Sequence, residues 1–179
     1  TDINDKVIYL GSFSKSISPA IRVSYLVLPK TLLNIYQKKL PYFICPVPTL
    51  NQKILYRFIK DGYFVKHINK MRTLYKKKRE FLVNTIKTYS SEILNKEIQI
   101  QGADAGLHMV IKLNQKINEK LFLNECLENS LKLYSLEEYN IEEICRENSY
   151  FLLGYANLTN NEIEEGILLM LKILKKYYT

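Results

Sequence analysis

The chain has 179 residues, of which 47% are hydrophobic and 25% charged, with a formal net charge of +8 at pH 7. That length holds one full core or two small ones, and the charged fraction is that of an ordinary globular protein. No apolar run approaches the ~20 residues of a membrane span, no secretory signal opens the chain, and Cys45, Cys126 and Cys145 follow no spacing motif. No membrane-spanning helix and no disulfide framework are therefore expected. The cysteines read as reduced, small buried hydrophobes of a cytoplasmic protein. The first residue is Thr1, which leads us to expect a piece of a longer polypeptide.

Val7-Ile8-Tyr9-Leu10 and residues 23–28 are short runs of β-branched and aromatic residues, which predict two strands. Between them stands Gly11-Ser12-Phe13-Ser14-Lys15-Ser16-Ile17-Ser18-Pro19-Ala20-Ile21-Arg22, rich in hydroxyls, with two cations and no acid. Pro29 closes the second strand, and residues 30–39 read as a helix with Leu32, Leu33 and Tyr36 on one face. Pro41, Pro46 and Pro48 hold the next stretch extended. Thr49 is expected to cap a helix running to about Lys60, which Asp61-Gly62 ends.

Residues 63–90 form the longest periodic segment. Phe64, Ile68, Met71, Tyr75, Leu82, Ile86 and Tyr89 recur at helical steps and predict one buried stripe. Such a helix is long enough to bridge two subdomains. Its basic block, Lys76-Lys77-Lys78-Arg79, reads as a solvated face, because no groove-reading motif accompanies the charge. After Ser90-Ser91 the pattern predicts strands at 98–101 and 107–113, a helix at 118–130, strands at 131–134 and 149–155, and a last helix. Thr159-Asn160-Asn161-Glu162 is a capping box for that helix, with Leu158 placed to staple onto Ile163. Ile163, Ile167, Met170, Leu171 and Leu174 then line its inner face. This order predicts a compact α/β layer with its own core. His67 and His108 lack a clustered acid and read as packing residues, not as metal ligands.

The loop at 11–22 raises the chemical question. A lysine flanked by hydroxyls can pair with a phosphate as a point charge, or condense with an aldehyde if a neutral amine is available. Arg22 offers a planar fork that suits a phosphate, and Ser12 and Ser14 add neutral donors. A cofactor with both an aldehyde and a phosphate, such as pyridoxal phosphate (PLP), would use them all. A Gly-Ser-rich loop can equally be only a loop, and the residues by themselves leave both readings open.

The same segment, Gly11 through Arg22, resembles the PLP-lysine segment of fold-type I aminotransferases. It looks most like the MocR subfamily of GntR-type transcriptional regulators, in which a winged helix-turn-helix precedes an aminotransferase-like domain. Gly62 through Tyr75 is similar to that subfamily's pattern of glycine, then histidine (His67), then Met71-Arg72 and Tyr75. Gly106-Leu107-His108 resembles its Gly-Leu-His strand. Leu153-Gly154-Tyr155-Ala156-Asn157-Leu158, followed by Glu162 through Gly166, resembles its C-terminal strand and helix.

The resemblance implies an α/β fold: the end of the large domain with its connecting helix in residues 1–90, and a small domain in 91–179 that closes over ligand. It implies PLP bound by Lys15 as an imine, with Arg22 and Ser12 holding the phosphate and Ser14 as a helper. It implies a cytoplasmic homodimer that contacts DNA through a winged helix-turn-helix outside these residues and senses PLP or an amine, with an active aminotransferase as the alternative. The family's partners for the pyridine ring lie upstream of the lysine strand, so exposed apolar edges are expected here. Some relatives hold a substrate carboxylate with an arginine near residues 135–140. Here Glu137 and Glu138 stand in that stretch, and like charge would repel such a ligand. Arg146 is not assigned the role.

Overall fold

The computed structural model describes residues 4–103, 106–139 and 147–178. The chain divides into two compact units, Thr1–Arg72 and Thr73–Thr179.

Unit 1 opens with β1 (Tyr9–Ser12) and β2 (Ser24–Val27), paired antiparallel with Tyr9 opposite Val27 and Ser12 opposite Ser24. Two helices follow, α1 (Lys30–Lys39) and α2 (Thr49–Lys60). Both start directly after a proline, Pro29 and Pro48, and neither has a side-chain cap. This corrects the role expected of Thr49. Pro48 has φ −55°, its carbonyl already accepts from Gln52 N at 3.1 Å, and Thr49 is therefore the first helical residue. The Gln52 side chain donates back to the Val47 carbonyl at 2.8 Å and ties down the proline-rich stretch. Gly62, at φ +77°, supplies the left-handed step between α2 and α3 (Tyr63–Leu94).

The stripe expected along α3 is fully buried only in its C-terminal part, at Leu82 and Ile86, whereas Phe64, Ile68, Met71 and Tyr75 are half-buried. The helix also runs past Ser90-Ser91 to Leu94. Ser90 does not break it because its Oγ donates to the Lys87 carbonyl at 3.3 Å while the residue is buried. The basic block is not uniformly solvated. Lys76 and Lys77 are exposed, but half-buried Lys78 donates to the Ala156 carbonyl at 2.9 Å.

Unit 2 is built on an antiparallel sheet of β3 (Gln99–Gln101), β4 (His108–Lys112), β5 (Tyr134–Ser135) and β6 (Tyr150–Gly154), in the order β3-β4-β6-β5. Two helices, α4 (Glu119–Glu128) and α5 (Asn160–Leu174), complete the layer. Alternate residues of the central strands point inward: Met109 and Ile111 on β4, Phe151 and Leu153 on β6 are all buried. They meet Phe122 of α4, whose ring lies 5.0 Å from that of Phe151, and the expected α5 face of Ile163, Ile167, Met170, Leu171 and Leu174, every one buried. The capping box of α5 is present, with Thr159 Oγ accepting from Glu162 N and the Glu162 carboxylate accepting from Thr159 N.

The strand expected at 131–134 shrinks to Tyr134–Ser135. Leu131 N donates to the Cys126 carbonyl at 2.8 Å, which binds that residue to the end of α4 and leaves only two residues to pair with β6. Cys126 is buried as expected, and burial pushes its thiol up to about 12. Cys45 is exposed instead, beside Gln52. Cys145 and Arg146 lie outside the described residues.

Candidate functional site

The loop between β1 and β2 is closed at its mouth. Phe13 N donates to the Val23 carbonyl at 3.0 Å and extends the β1–β2 ladder one step beyond the Ser12–Ser24 pair. Ser12 and Arg22 therefore flank opposite sides of that mouth. Ser12 Oγ accepts from Ser14 N at 3.1 Å, and Ile17 N donates to the Phe13 carbonyl at 2.8 Å, so residues 13–17 form a turn that carries Lys15. Ser18 Oγ then accepts from Ala20 N at 3.3 Å and caps a 3-10 turn over Pro19–Ile21. Arg22 ends that turn at φ 49° and ψ 35°. A left-handed arginine costs on the order of 1 kcal/mol, and such strain concentrates at ligand sites.

An aromatic floor holds the loop in place. The Phe13 ring lies 5.2 Å from Tyr25 and 6.0 Å from Phe64. Tyr25 in turn lies so close over Gly11 that a Cβ there would fall 2.2 Å from its Cζ, so any larger residue would displace the Tyr25 ring. A hydrogen bond with Tyr9, reinforced by burial, holds the Tyr25 phenol above its ordinary value.

Lys15, Arg22 and Ser12 are exposed and Ser14 is half-buried. Among the described residues, neither Lys15 nor Arg22 makes an ion pair. The sequence accounts for this: between Asp5 and Asp61 there is no acidic residue, against nine lysines and arginines. Unpaired cations beside hydroxyls at a closed loop mouth suit an anion with several acceptor oxygens. These four are the residues singled out from the sequence. Sequence reasoning missed Tyr25, although a lone glycine inside a strand pattern is a signal of close approach from a neighbour.

The other residues weighed from sequence are placed as follows. His67 lies on α3 with its ring 6.3 Å from Phe58, and His108 lies on β4 against Gly154. Among the described residues no group of three His, Cys, Asp or Glu side chains could hold a metal ion, and no helix is long and apolar enough to cross a membrane. Glu137 pairs with Lys116, which also binds buried Glu119 at 2.9 Å.

Residues 1–167 match the family of class I and II aminotransferases. This chain belongs to the aminotransferase class I and II family. Within that family it is similar to HTH-type transcriptional regulators. It is 34% identical to YhdI of Bacillus subtilis over 93% of this chain and 34% of that protein. It is 24% identical to the probable rhizopine catabolism regulatory protein MocR of Rhizobium meliloti, over 93% of this chain and 32% of that protein. The chain thus spans about a third of the length of these relatives. Its fold is that of fold-type I aminotransferases. The multiple substrate aminotransferase of Thermococcus profundus superposes with a TM-score of 0.78 at 22% identity, covering 95% of this chain and 41% of that one. The α-aminoadipate aminotransferase LysN of Thermus thermophilus, crystallised with N-(5'-phosphopyridoxyl)-L-leucine, superposes with a TM-score of 0.74 at 25% identity, covering 95% of this chain and 42% of that one. Family and fold together imply PLP as the cofactor.

Proposed function

We propose that this chain is part of the PLP-binding effector domain of a bacterial GntR/MocR-type transcriptional regulator, with Lys15 as the residue that engages the cofactor. The observation that carries the proposal is the β1–β2 loop: an exposed lysine and an arginine without a carboxylate partner among the described residues, with Ser12 and Arg22 at one mouth. Bound PLP supplies an aldehyde that exchanges by imine chemistry between a protein amine and an incoming amine. Lys15 presents the protein amine. Arg22 binds the phosphate as a fork, and the Ser12 hydroxyl, with Ser14 beside it, adds neutral contacts. Gly11 pairs with Tyr25, whose ring lies over it, in the register that sets Ser12 opposite Ser24 beside the mouth.

In this reading the protein is a cytoplasmic homodimer. A winged helix-turn-helix outside these residues contacts DNA, and PLP or an amine is the signal. Residues 1–90 belong to the large domain and its connecting helix, and residues 91–179 form the small domain whose closure the ligand alters. The likeness to regulators over 93% of the chain supports this. An active aminotransferase is the second reading, favoured by the solved structures that share the fold. Transamination adds a proton transfer at the substrate carbon, for which the released lysine is the base. Incubation of the intact protein with PLP, amino acids and keto acids separates the two. Amine-dependent change in DNA affinity without amino-group turnover is the expected result, and sustained turnover overturns the sensor in favour of the enzyme.

A further inference from the structure

Unit 2 contains a cavity of about 450 Å³ that the lysine loop does not account for. It opens between α5 and the β5–β6 edge of the sheet, and every residue lining it belongs to unit 2. Its walls are apolar, with Leu131, Leu152, Ile163, Ile167 and Met170 among them. That volume and lining are in the range of small-molecule sites, ~300–1,000 Å³ and mostly hydrophobic. Gly166 forms part of the α5 wall. A Cβ there would meet only Leu131 Cδ1, at 3.7 Å, so the wall has room for a larger side chain at this position.

The polar residues of the lining are unevenly charged. Glu162 and Glu165 stand three residues apart on α5, and carboxylates at that spacing share one helix face and repel each other. The bonds that Glu162 accepts from Thr159 all reach Oε2, and they hold its carboxyl below the usual carboxylate range. Lys132 also lines the cavity, but its ammonium stands over the Tyr134 ring, 5.2 Å from the centroid, and forms no ion pair with either glutamate among the described residues. Lys78 also bears on Glu162, but its ammonium is bound to the Ala156 carbonyl, and the two carboxylates at the border of an apolar cavity favour an ammonium over a carboxylate.

We infer that this cavity is a second, non-covalent ligand site, for an amphipathic primary amine whose apolar body fills the α5–β6 space and whose ammonium meets Glu162 and Glu165. The inference does not depend on Lys15 or on PLP.

Calorimetric titration of the intact protein, without PLP, with octylamine and with octanoate tests it. Saturable one-to-one binding of octylamine, with octanoate at least about tenfold weaker, is expected from the two carboxylates. Gly166→Leu fills the cavity while replacing a poor helix former, so the fold is kept and octylamine binding is lost. Glu165→Gln weakens octylamine by about threefold and leaves octanoate no weaker than before. Equal binding of the two ligands, no binding of octylamine, or unchanged binding in Gly166→Leu overturns the inference. Loss of PLP binding in Lys15→Ala leaves all these results in place, so failure here and failure of the cofactor proposal are distinct outcomes.

Discussion

The two units of this chain carry similar fractions of apolar residues and use them in opposite ways. Unit 2 encloses a continuous core that runs from Leu82 on α3 through both central strands to Tyr178. Among the described residues of unit 1, Val23 and Leu55 are the buried hydrophobic side chains, whereas Leu10, Tyr42, Ile44 and Leu50 are 75%, 94%, 86% and 68% exposed. Charge divides the same way. Unit 1 holds twelve lysines and arginines against three acids, and unit 2 fourteen against fifteen, so the whole positive excess belongs to unit 1. The difference teaches that the two units answer to different demands. Unit 2 satisfies itself, whereas an apolar surface of the extent seen on unit 1 is what an interface covers. That agrees with the proposed place of unit 1 in a longer, dimeric protein and with its cationic loop as an anion site.

The contrast is broken or upheld most strongly by core substitution. Phe151→Ala, which empties the centre of unit 2 against Phe122, is expected to cost about 3–5 kcal/mol in denaturant unfolding. Ile44→Ser in unit 1 is expected to stay within about 0.5 kcal/mol when measured the same way on the same polypeptide. Comparable losses from the two would abolish the distinction. Next in size is the loop itself. Arg22→Ala is expected to weaken PLP binding by about 1.5–3 kcal/mol, as befits a charge-assisted contact, while Arg57→Ala on α2 leaves the affinity unchanged. Equal effects would reduce the site to the general charge of unit 1.

Smaller effects sharpen the description of unit 2. Thr159→Ala removes the capping box of α5 and is expected to lower stability by about 1 kcal/mol in thermal unfolding. The Glu125 carboxyl is held below its ordinary value by Lys176 and the Tyr177 hydroxyl. Its folded pKa is thus depressed, so its contribution is fully present above the unfolded value near 4.5 and is lost as pH falls through the folded one. A pH series of unfolding midpoints for Glu125→Gln should converge with the wild type below that window and fall under it at neutral pH. Divergence only in the acid range would contradict the sign.

Much of this architecture is legible in the sequence where local chemistry and tertiary demand agree. The capping box before α5 and its buried face follow from residue spacing alone, and the hairpin around the lysine loop follows from two β-branched runs. Legibility fails where a distant contact decides. Ser90-Ser91 reads as a helix end, yet burial of Ser90 and its bond to the Lys87 carbonyl carry α3 on to Leu94. Leu131-Lys132-Leu133 reads as strand, yet the tie from Leu131 to Cys126 withholds it from the ladder. Lys78 reads as solvated, yet a carbonyl 78 residues away captures it. At the candidate site Ser12, Ser14, Lys15 and Arg22 stand out as hydroxyls and cations without acids, but the residues alone also allow an ordinary loop, and their roles are what the resemblance implies. The left-handed backbone of Arg22 and the Tyr25 ring over Gly11 are not legible in the sequence, since both depend on how the loop folds back on its own strands.

The central claim concerns one amine in a loop without acids. Incubating the intact protein with PLP, reducing with borohydride and mapping the modified peptide by mass spectrometry tests it most directly. A phosphopyridoxyl group on Lys15, absent from the many other lysines of unit 1 and lost in Lys15→Ala, is the predicted result. A label distributed over the exposed lysines, or placed on another lysine alone, would contradict it.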